Sequence, residues 1–297
     1  MSESSAIYAT CYPGVERYLP QWRDSLLAQT DHNAAVCIGL DGIDPDRVRE
    51  MLGPHVSPHF VLSLPGDTPA SLRSRALLAL SDKFDAVILT DMDDVLLPTR
   101  IATAKDALAA SDLYCCAMQV IEGERIADEA IFDPGLRSGG PFGYNVFGLT
   151  NTAWRSRLLK SCLPVPPDCA LMDWLLATRA WGVDARVEYD RVPRMRYRQY
   201  GGNTARILPP FAPGQILQAC RLVILHYDFV IEESEWRYPH MTDSLRIARR
   251  TAKNFQSAVE ESGAVLSGYV EALNKLPARH VWWDCVAHPE LEKIWKH

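Results

Sequence analysis

The chain has 297 residues, of which 47% are hydrophobic and 23% charged, with a formal net charge of −6. These totals describe an ordinary globular protein of one large domain or two smaller ones, and they argue against a general nucleic-acid binder, which carries a basic face. The eight cysteines form no CxxC pair and several lie in apolar runs, so neither a structural zinc site nor a disulfide framework is expected, and a reducing compartment is.

The opening Met-Ser-Glu-Ser-Ser has no basic segment followed by an apolar core and reads as no signal peptide. Ala6 to Thr10 is a short apolar run, the first predicted strand, and it enters the turn Cys11-Tyr-Pro13-Gly14. From Val15 to Gln29, residues Tyr18, Leu19, Trp22, Leu26 and Leu27 recur at helical spacing. Ala34 to Leu40 is a second strand ending in Asp41-Gly42, which completes a βαβ beginning. Asp46 to Leu52 reads as a short helix and Phe60 to Leu64 as a strand. Thr68 or Ser71 caps a helix running through Leu80, with Arg73 and Arg75 in its first turns.

Ala86-Val-Ile-Leu-Thr90-Asp91-Met-Asp93-Asp94-Val-Leu-Leu-Pro98 is the most informative stretch. An apolar run of this kind reads as a strand buried on both faces, and the carboxylates emerge at its carboxyl end, where open α/β sheets bind ligands. Asp91 and Asp93 are two apart and share a side in extended backbone. Two hard oxygen ligands on one side suit Mg²⁺ or Mn²⁺ carrying a substrate phosphate, whereas the plainer alternative is a solvated acidic loop.

A helix follows from Thr99 to Ala110 and a strand from Leu113 to Ile121. Glu122 to Asn145 loses periodicity and is expected to be a long loop. Val146 to Thr150 reads as a short strand, Trp154 to Ser161 as a helix, and Leu171 to Trp181 as an amphipathic helix with Asp173 near its start and Gly182 at its end. Val183 to Tyr189 is a strand, followed by the Arg-rich run from Arg191 to Asn203. Beyond about Arg206 the chain turns helical, with long helices from Gln215 and from Ser244 to Leu276. The most apolar late stretch, Ile216 to Ile231, is interrupted by Gln218, Arg221, His226 and Asp228 and does not read as a bilayer span.

Several of these stretches together resemble the family 2 glycosyltransferases. Ala9-Thr10-Cys-Tyr12, Tyr18-Leu19 and Ser25-Leu-Leu-Ala-Gln-Thr30 are similar to the family's opening "ATYNG…YL…SILAQT", and Asp41-Gly42 stands at its "DDGS" turn. Arg75 lies where the "ARN" segment precedes the DxD motif, and Thr90 to Pro98 resembles "SDQDDVWLP". Leu171-Met-Asp173-Trp-Leu-Leu-Ala is similar to the "DWWLA" helix, and Tyr197-Arg198-Gln199-Tyr200-Gly-Gly-Asn203 to "YRQHGGN". The resemblance covers roughly residues 6 to 206.

It implies an α/β chain with a GT-A (Rossmann-like) nucleotide-sugar-binding domain over 1–206 and a mostly helical C-terminal extension over 207–297. The implied activity is inverting transfer of a sugar from a nucleotide diphosphate donor to a carbohydrate or lipid-linked acceptor, as in surface polysaccharide or glycoconjugate synthesis. By the same match Asp93, with Asp91, holds Mn²⁺ or Mg²⁺, and Asp91 also reaches the ribose. Thr10, Asp41 and Arg75 surround the nucleotide, Arg198 and Gln199 meet the diphosphate, and Asp173 is the base. Tyr200 replaces the motif's His, so a metal ligated by that His in relatives has to be held otherwise here. Leu40 and Ile43 depart from "DDGS", which bears on the choice of base.

Each residue also has a bland reading: Asp173 capping its own helix, Asp41 filling a turn, Arg75 solvated, Trp174 and Trp181 in the core, His226 structural. Two rival functions stay open. The run from Ile88 to Leu97 also resembles the haloacid-dehalogenase-like phosphatase signature, with Asp91 as nucleophile, although Asp94 stands where that family has Gly. A non-enzymatic assembly protein could keep the same fold. In the tail, Arg246, Arg249, Arg250 and Lys253 suggest either peripheral contact with an anionic membrane at its inner face or a solvated face on helices that form a homodimer. A cytoplasmic location is expected.

Overall fold

Short apolar runs separated by helices of mixed polarity fold here into one mixed sheet with helices packed on it. The computed structural model describes residues 4–122, 125–132, 142–201, 203–277 and 281–296. Strands β1 (Ser5–Cys11), β2 (Ala35–Leu40), β3 (His59–Leu62) and β4 (Ala86–Leu89) run parallel in the order β3-β2-β1-β4. Helices α1 (Leu19–Leu27), α2 (Pro45–Leu52) and α3 (Pro69–Ser81) make the crossovers. Every residue of β1 and β4 is buried, as strands covered on both faces require. Thr68 caps α3, its Oγ1 accepting the Ser71 N–H at 3.2 Å.

Beyond β4 the sheet becomes mixed. After β5 (Val95–Leu96) and α4 (Arg100–Leu108), β6 (Leu113–Glu122) runs parallel to β9 (Val187–Gln199). β8 (Thr152–Arg155) lies antiparallel between β4 and β6, and β5 pairs antiparallel with β9. This mixed half brings residues 93–96 against the end of β9, which sets the acidic stretch beside Arg198 and Tyr200.

Several stretches differ from the sequence reading: Trp154, expected to open a helix, lies in β8, and the strand expected over Val183–Tyr189 runs instead from Val187 to Gln199. The expected loop from 122 to 145 contains β7 (Arg125–Phe132), a hairpin partner of β6, while 133–141 lie outside the described residues. The strand expected at Val146–Thr150 begins instead at Thr152. Asn145 and Asn151 explain the shift: their amides take the Phe147 N–H and C=O, the Gly148 N–H and the Val146 C=O, the groups a ladder would need. The single helix expected from 244 to 276 is two, α8 (Thr242–Glu261) and α9 (Gly263–Leu273), because Ser262 ends one and caps the next through the Val265 N–H.

The C-terminal helices are joined to the body. Helices α5 (Ser156–Cys162) and α6 (Met172–Gly182) precede β9, and α7 (Pro213–Arg237) packs against α6. His226 of α7 is buried and stacked on Trp174 of α6 at 4.2 Å, and burial lowers its pKa to about 3, so it stays neutral. Arg179 of α6 is 4% exposed; its guanidinium forks onto the Glu233 carboxylate of α7 and donates to the Cys162 and Pro164 carbonyls. Among the described residues no helix is long and apolar enough to cross a membrane, and all eight cysteines are buried thiols.

A buried guanidinium that loses its counter-charge keeps its desolvation cost. Glu233→Gln is therefore expected to destabilise the protein by about 3 kcal/mol, read as a lower urea midpoint with an unchanged denaturant slope.

Candidate active-site cleft

The carboxyl ends of β1, β2 and β4 open onto two joined hollows. The larger, of 840 Å³, is lined by Thr10, Pro13, Asp41 and Gly42 from the strand ends, by Pro69, Ala70 and Arg73 from α3, and by residues 167–170. Its size suits a nucleotide. The smaller, of 180 Å³, is lined by Asp91, Asp93, Asp173, Gly148, Tyr197, Tyr200, Trp282 and Trp283. Thr10, Tyr12, Arg73, Ala170 and Thr204 line both, so the hollows form one cleft.

Local structure explains each placement. Thr10 is the penultimate residue of β1, and its Oγ1 accepts the Arg73 Nε–H at 3.3 Å. Asp41 follows β2 directly, its N–H bound to the Cys11 carbonyl at 2.9 Å. Asp91 and Asp93 leave β4 in a turn closed by the Asp94 N–H on the Asp91 carbonyl. Asp173 sits in the first turn of α6, whose N-cap position, Leu171, makes no side-chain cap.

The predicted residues do not all arrive in the cleft. Thr10, Asp41, Asp91, Asp93 and Asp173 line it. Arg75 does not: it is turned toward the end of β3, donating to the Leu62 carbonyl at 2.8 Å and pairing with Asp67. Arg73 lines both hollows instead, since it shares a helical face with Ala70 while Arg75, two residues on, points away. Arg198 and Gln199 are buried behind the cleft. The Arg198 Nε–H donates to the Asp93 carbonyl at 2.8 Å, its backbone N–H to Asp94 Oδ1 at 2.7 Å, and its guanidinium also meets Gln21 and lies 4.7 Å over the Tyr18 ring. The Gln199 amide ties Tyr197, Ala205 and Ile207 together. Tyr200, where the resembling motif has His, donates its hydroxyl to Asp93 Oδ2 at 2.9 Å, with Arg17 5.6 Å from its ring.

This crowd of carboxylates is electrostatically costly. Burial, then the Asp93 charge, raises the Asp91 pKa to about 7. Burial raises Asp93 against the opposing Tyr200 hydrogen bond, and Asp94 is raised well above the usual range by burial and by both neighbours. Burial raises Asp173 to about 6, opposed by the Trp174 backbone N–H, the Arg73 charge and the Asn145 side chain. Among the described residues lining the smaller hollow, Arg73 is the one cation. No group of three or more His, Cys, Asp or Glu among the described residues is arranged to hold a metal. Asp91 and Asp93 nonetheless fit a divalent cation that completes its shell with water and substrate phosphate oxygens, because both are hard, desolvated oxygen donors facing one hollow.

No protein-family model and no curated protein matches the chain. Solved structures do. TarS of S. aureus matches 97% of this chain and 51% of its own at 15% identity and a TM-score of 0.57, so this chain spans about half of that protein. The mannosyltransferase PcManGT of Pyrobaculum calidifontis, in complex with GDP-Man and Mn²⁺, matches 100% of this chain and 89% of its own, at 13% identity and 0.55. TarS 1–349 with UDP-GlcNAc matches 98% and 91%, at 16% and 0.54. At these identities the likeness concerns the fold: the chain has a GT-A-type glycosyltransferase fold with a helical C-terminal region.

The raised pKa of Asp173 has a consequence for stability. The native state holds this proton up to about 6 and the unfolded chain releases it near 3.8, so stability falls as pH rises between those values. Asp173→Asn removes the loss. It is expected to be more stable than the parent by about 3 kcal/mol above pH 7, with the gain vanishing below about pH 3, as followed by thermal melts across that range.

Proposed function

We propose that the protein is a glycosyltransferase that moves a sugar from a nucleotide diphosphate donor to an acceptor hydroxyl with inversion. The observation that carries this reading is the meeting of Asp91, Asp93 and Asp173 in one small hollow that opens into a nucleotide-sized one at the carboxyl ends of parallel strands. Neighbours of the same fold are recorded with GDP-Man and Mn²⁺ and with UDP-GlcNAc, which supports a nucleotide-sugar donor and a divalent cation here.

In this mechanism Thr10, Asp41 and Arg73 border the nucleotide, and Arg73 offers the cleft's positive charge to the phosphates. Asp93 and Asp91 would hold Mn²⁺ or Mg²⁺, which when bound supplies Lewis-acid neutralisation of the departing diphosphate. Asp173 takes the proton of the acceptor hydroxyl as its oxygen bonds to the anomeric carbon and the bond from that carbon to the diphosphate oxygen breaks on the opposite face. An inflection near 6 leaves Asp173 ionised at neutral pH and close enough in basicity to act as a general base. Arg198 and Gln199 act from behind: one holds the acidic turn, the other the loop after β9.

The tail does not strengthen the membrane reading. Arg246 pairs with Glu235 and Asp243, and Arg249 with Asp228, so much of the basic face of α8 is already balanced. A carbohydrate acceptor, lipid-linked or free, remains the partner class that fits the reaction.

Thermal shift with UDP-GlcNAc and GDP-mannose, with and without Mn²⁺, tests the donor. Asp93→Ala is expected to lose the Mn²⁺-dependent part of the shift. Asp173→Asn is expected to keep donor binding and to lose about 10²- to 10⁴-fold in transfer. Hydrolysis of a generic phosphomonoester, abolished by Asp91→Asn, would instead establish the phosphatase reading.

A further inference from the structure

Asn145 is fully buried and touches both Asp173 and the C-terminal segment, 137 residues away at Trp282. Its Oδ1 accepts the Phe147 N–H at 2.9 Å, and its Nδ2 donates to the Phe147 carbonyl at 2.7 Å and to Asp173 Oδ2 at 3.0 Å. The orientation of this amide is dictated by its partners: the Phe147 N–H can meet only the oxygen, which leaves the NH₂ group facing Asp173. A fixed donor aimed at a carboxylate favours its ionised form and fixes its rotamer.

The backbone of Asn145 is held by the C-terminal segment. Asn145 and Trp282 form an isolated antiparallel bridge, N–H to carbonyl in both directions, at 2.9 and 3.1 Å. The Trp282 indole is wedged beside it. Its Nε1–H donates to the Tyr197 hydroxyl at 3.2 Å, and its ring packs 4.2 Å from Phe132. A Cβ on Gly148 would lie 2.6 Å from the ring, so the glycine is what lets the indole in. This segment is tied in turn to α9, where the Tyr269 hydroxyl donates to the Cys285 carbonyl and accepts the His288 N–H, both at 2.9 Å.

We propose that Asn145 is a positioning residue for Asp173 and that the C-terminal segment around Trp282 is the clamp that holds it, so that the extension forms part of the catalytic site. The inference rests on the reading of Asp173 as the base. It assigns this segment a role beyond assembly or membrane contact: Trp282 and Trp283 line the smaller hollow, and the seating of Trp282 is transmitted to Asp173 through a single amide. The other groups facing Asp173 are Arg73 from α3, Asp91 after β4, Cys169 from the preceding loop and the Trp174 N–H of its own helix.

The test reads Asp173 directly in the full chain, with no substrate. Aspartate is labelled with ¹³C at the side-chain carboxyl, and the Asp173 signal is assigned by its loss in Asp173→Asn. Its midpoint is then followed by NMR in the parent and in four variants whose melting is measured alongside. Asn145→Ala removes the donor, and Asn145→Asp keeps the bond to the Phe147 N–H while facing Asp173 with a second carboxylate. The Asp173 midpoint is expected to rise by about half a pH unit or more in the first and by about one or more in the second. Trp282→Ala leaves Asn145 intact and is expected to raise the midpoint as well. Val48→Ala, destabilising but in α2 and remote from both the bridge and α6, is expected to leave it unchanged. An unmoved midpoint in folded Asn145→Asp overturns the positioning role. A shift in the Asn145 variants without one in Trp282→Ala overturns the clamp. If Asp173→Asn retains normal transfer, the base assignment falls on separate grounds, and the titration result still stands as a statement about the amide.

Discussion

Concentrating carboxylates where the chain cannot fully solvate them is the constraint on which the rest of this structure depends. Asp91, Asp93, Asp94 and Asp173 converge at the sheet's carboxyl edge, and burial lifts all four above the ordinary range. A fold selected only for stability would disperse them, because each ionised, desolvated carboxylate costs free energy that no nearby cation fully returns. Among the described residues, Arg73 alone faces the smaller hollow with positive charge. The arrangement makes sense when the missing positive charge arrives with a ligand, as the proposed donor with its divalent cation would bring it.

The surroundings of the acidic turn are built to hold it in place against this repulsion. Arg198 binds the Asp93 carbonyl and the Asp94 carboxylate from behind, and its own guanidinium rests on Tyr18. Tyr18 packs at 5.8 Å from Tyr200, with Arg17 over both rings, and Tyr200 returns to the turn through Asp93 Oδ2. Both cations thus sit beside the carboxylates without entering the cleft. Their charge favours the ionised form of Asp93. A neutral tyrosine hydroxyl is well suited to this place: it donates one hydrogen bond and adds no charge that a cation would have to displace.

Much of this was legible in the chain itself. The apolar run of β4 leading into Asp91-Met-Asp93, the strand–helix–strand beginning and the first-turn position of Asp173 all depend on local pattern, and local pattern survives folding. Arg75 and Arg73 differ for a reason visible only in three dimensions: sequence places both in the first turns of α3, and the helical phase relative to the sheet decides which one reaches the cleft. Arg198 and Gln199 carry the residue types of a phosphate site, yet the pairing of β9 with β6 and β5 turns them inward. The strand expected at 146–150 failed because two asparagine side chains took over the backbone groups, a competition that propensity does not weigh. Asn145 and Trp282 left no signal at all, since 137 positions separate them and neither belongs to a motif.

That last pair bears on how the C-terminal region is to be understood. Helices appended after a complete domain can be removed in thought without leaving unpaired groups behind. Here they cannot. Without residues 281–283, the backbone N–H and carbonyl of the fully buried Asn145 would lose their partners, and the hollow beside Gly148 that the indole fills would stand open. The buried fork between Arg179 and Glu233 makes the same point from the other side, because α6 carries both Arg179 and Asp173, and α7 supplies the counter-charge. The helix that carries Asp173, the proposed base, is therefore braced by one part of the extension, and the amide hydrogen-bonded to Asp173 is braced by another. A boundary near residue 206 marks a change in secondary structure, while the physical unit that positions the carboxylates extends to the C-terminal segment.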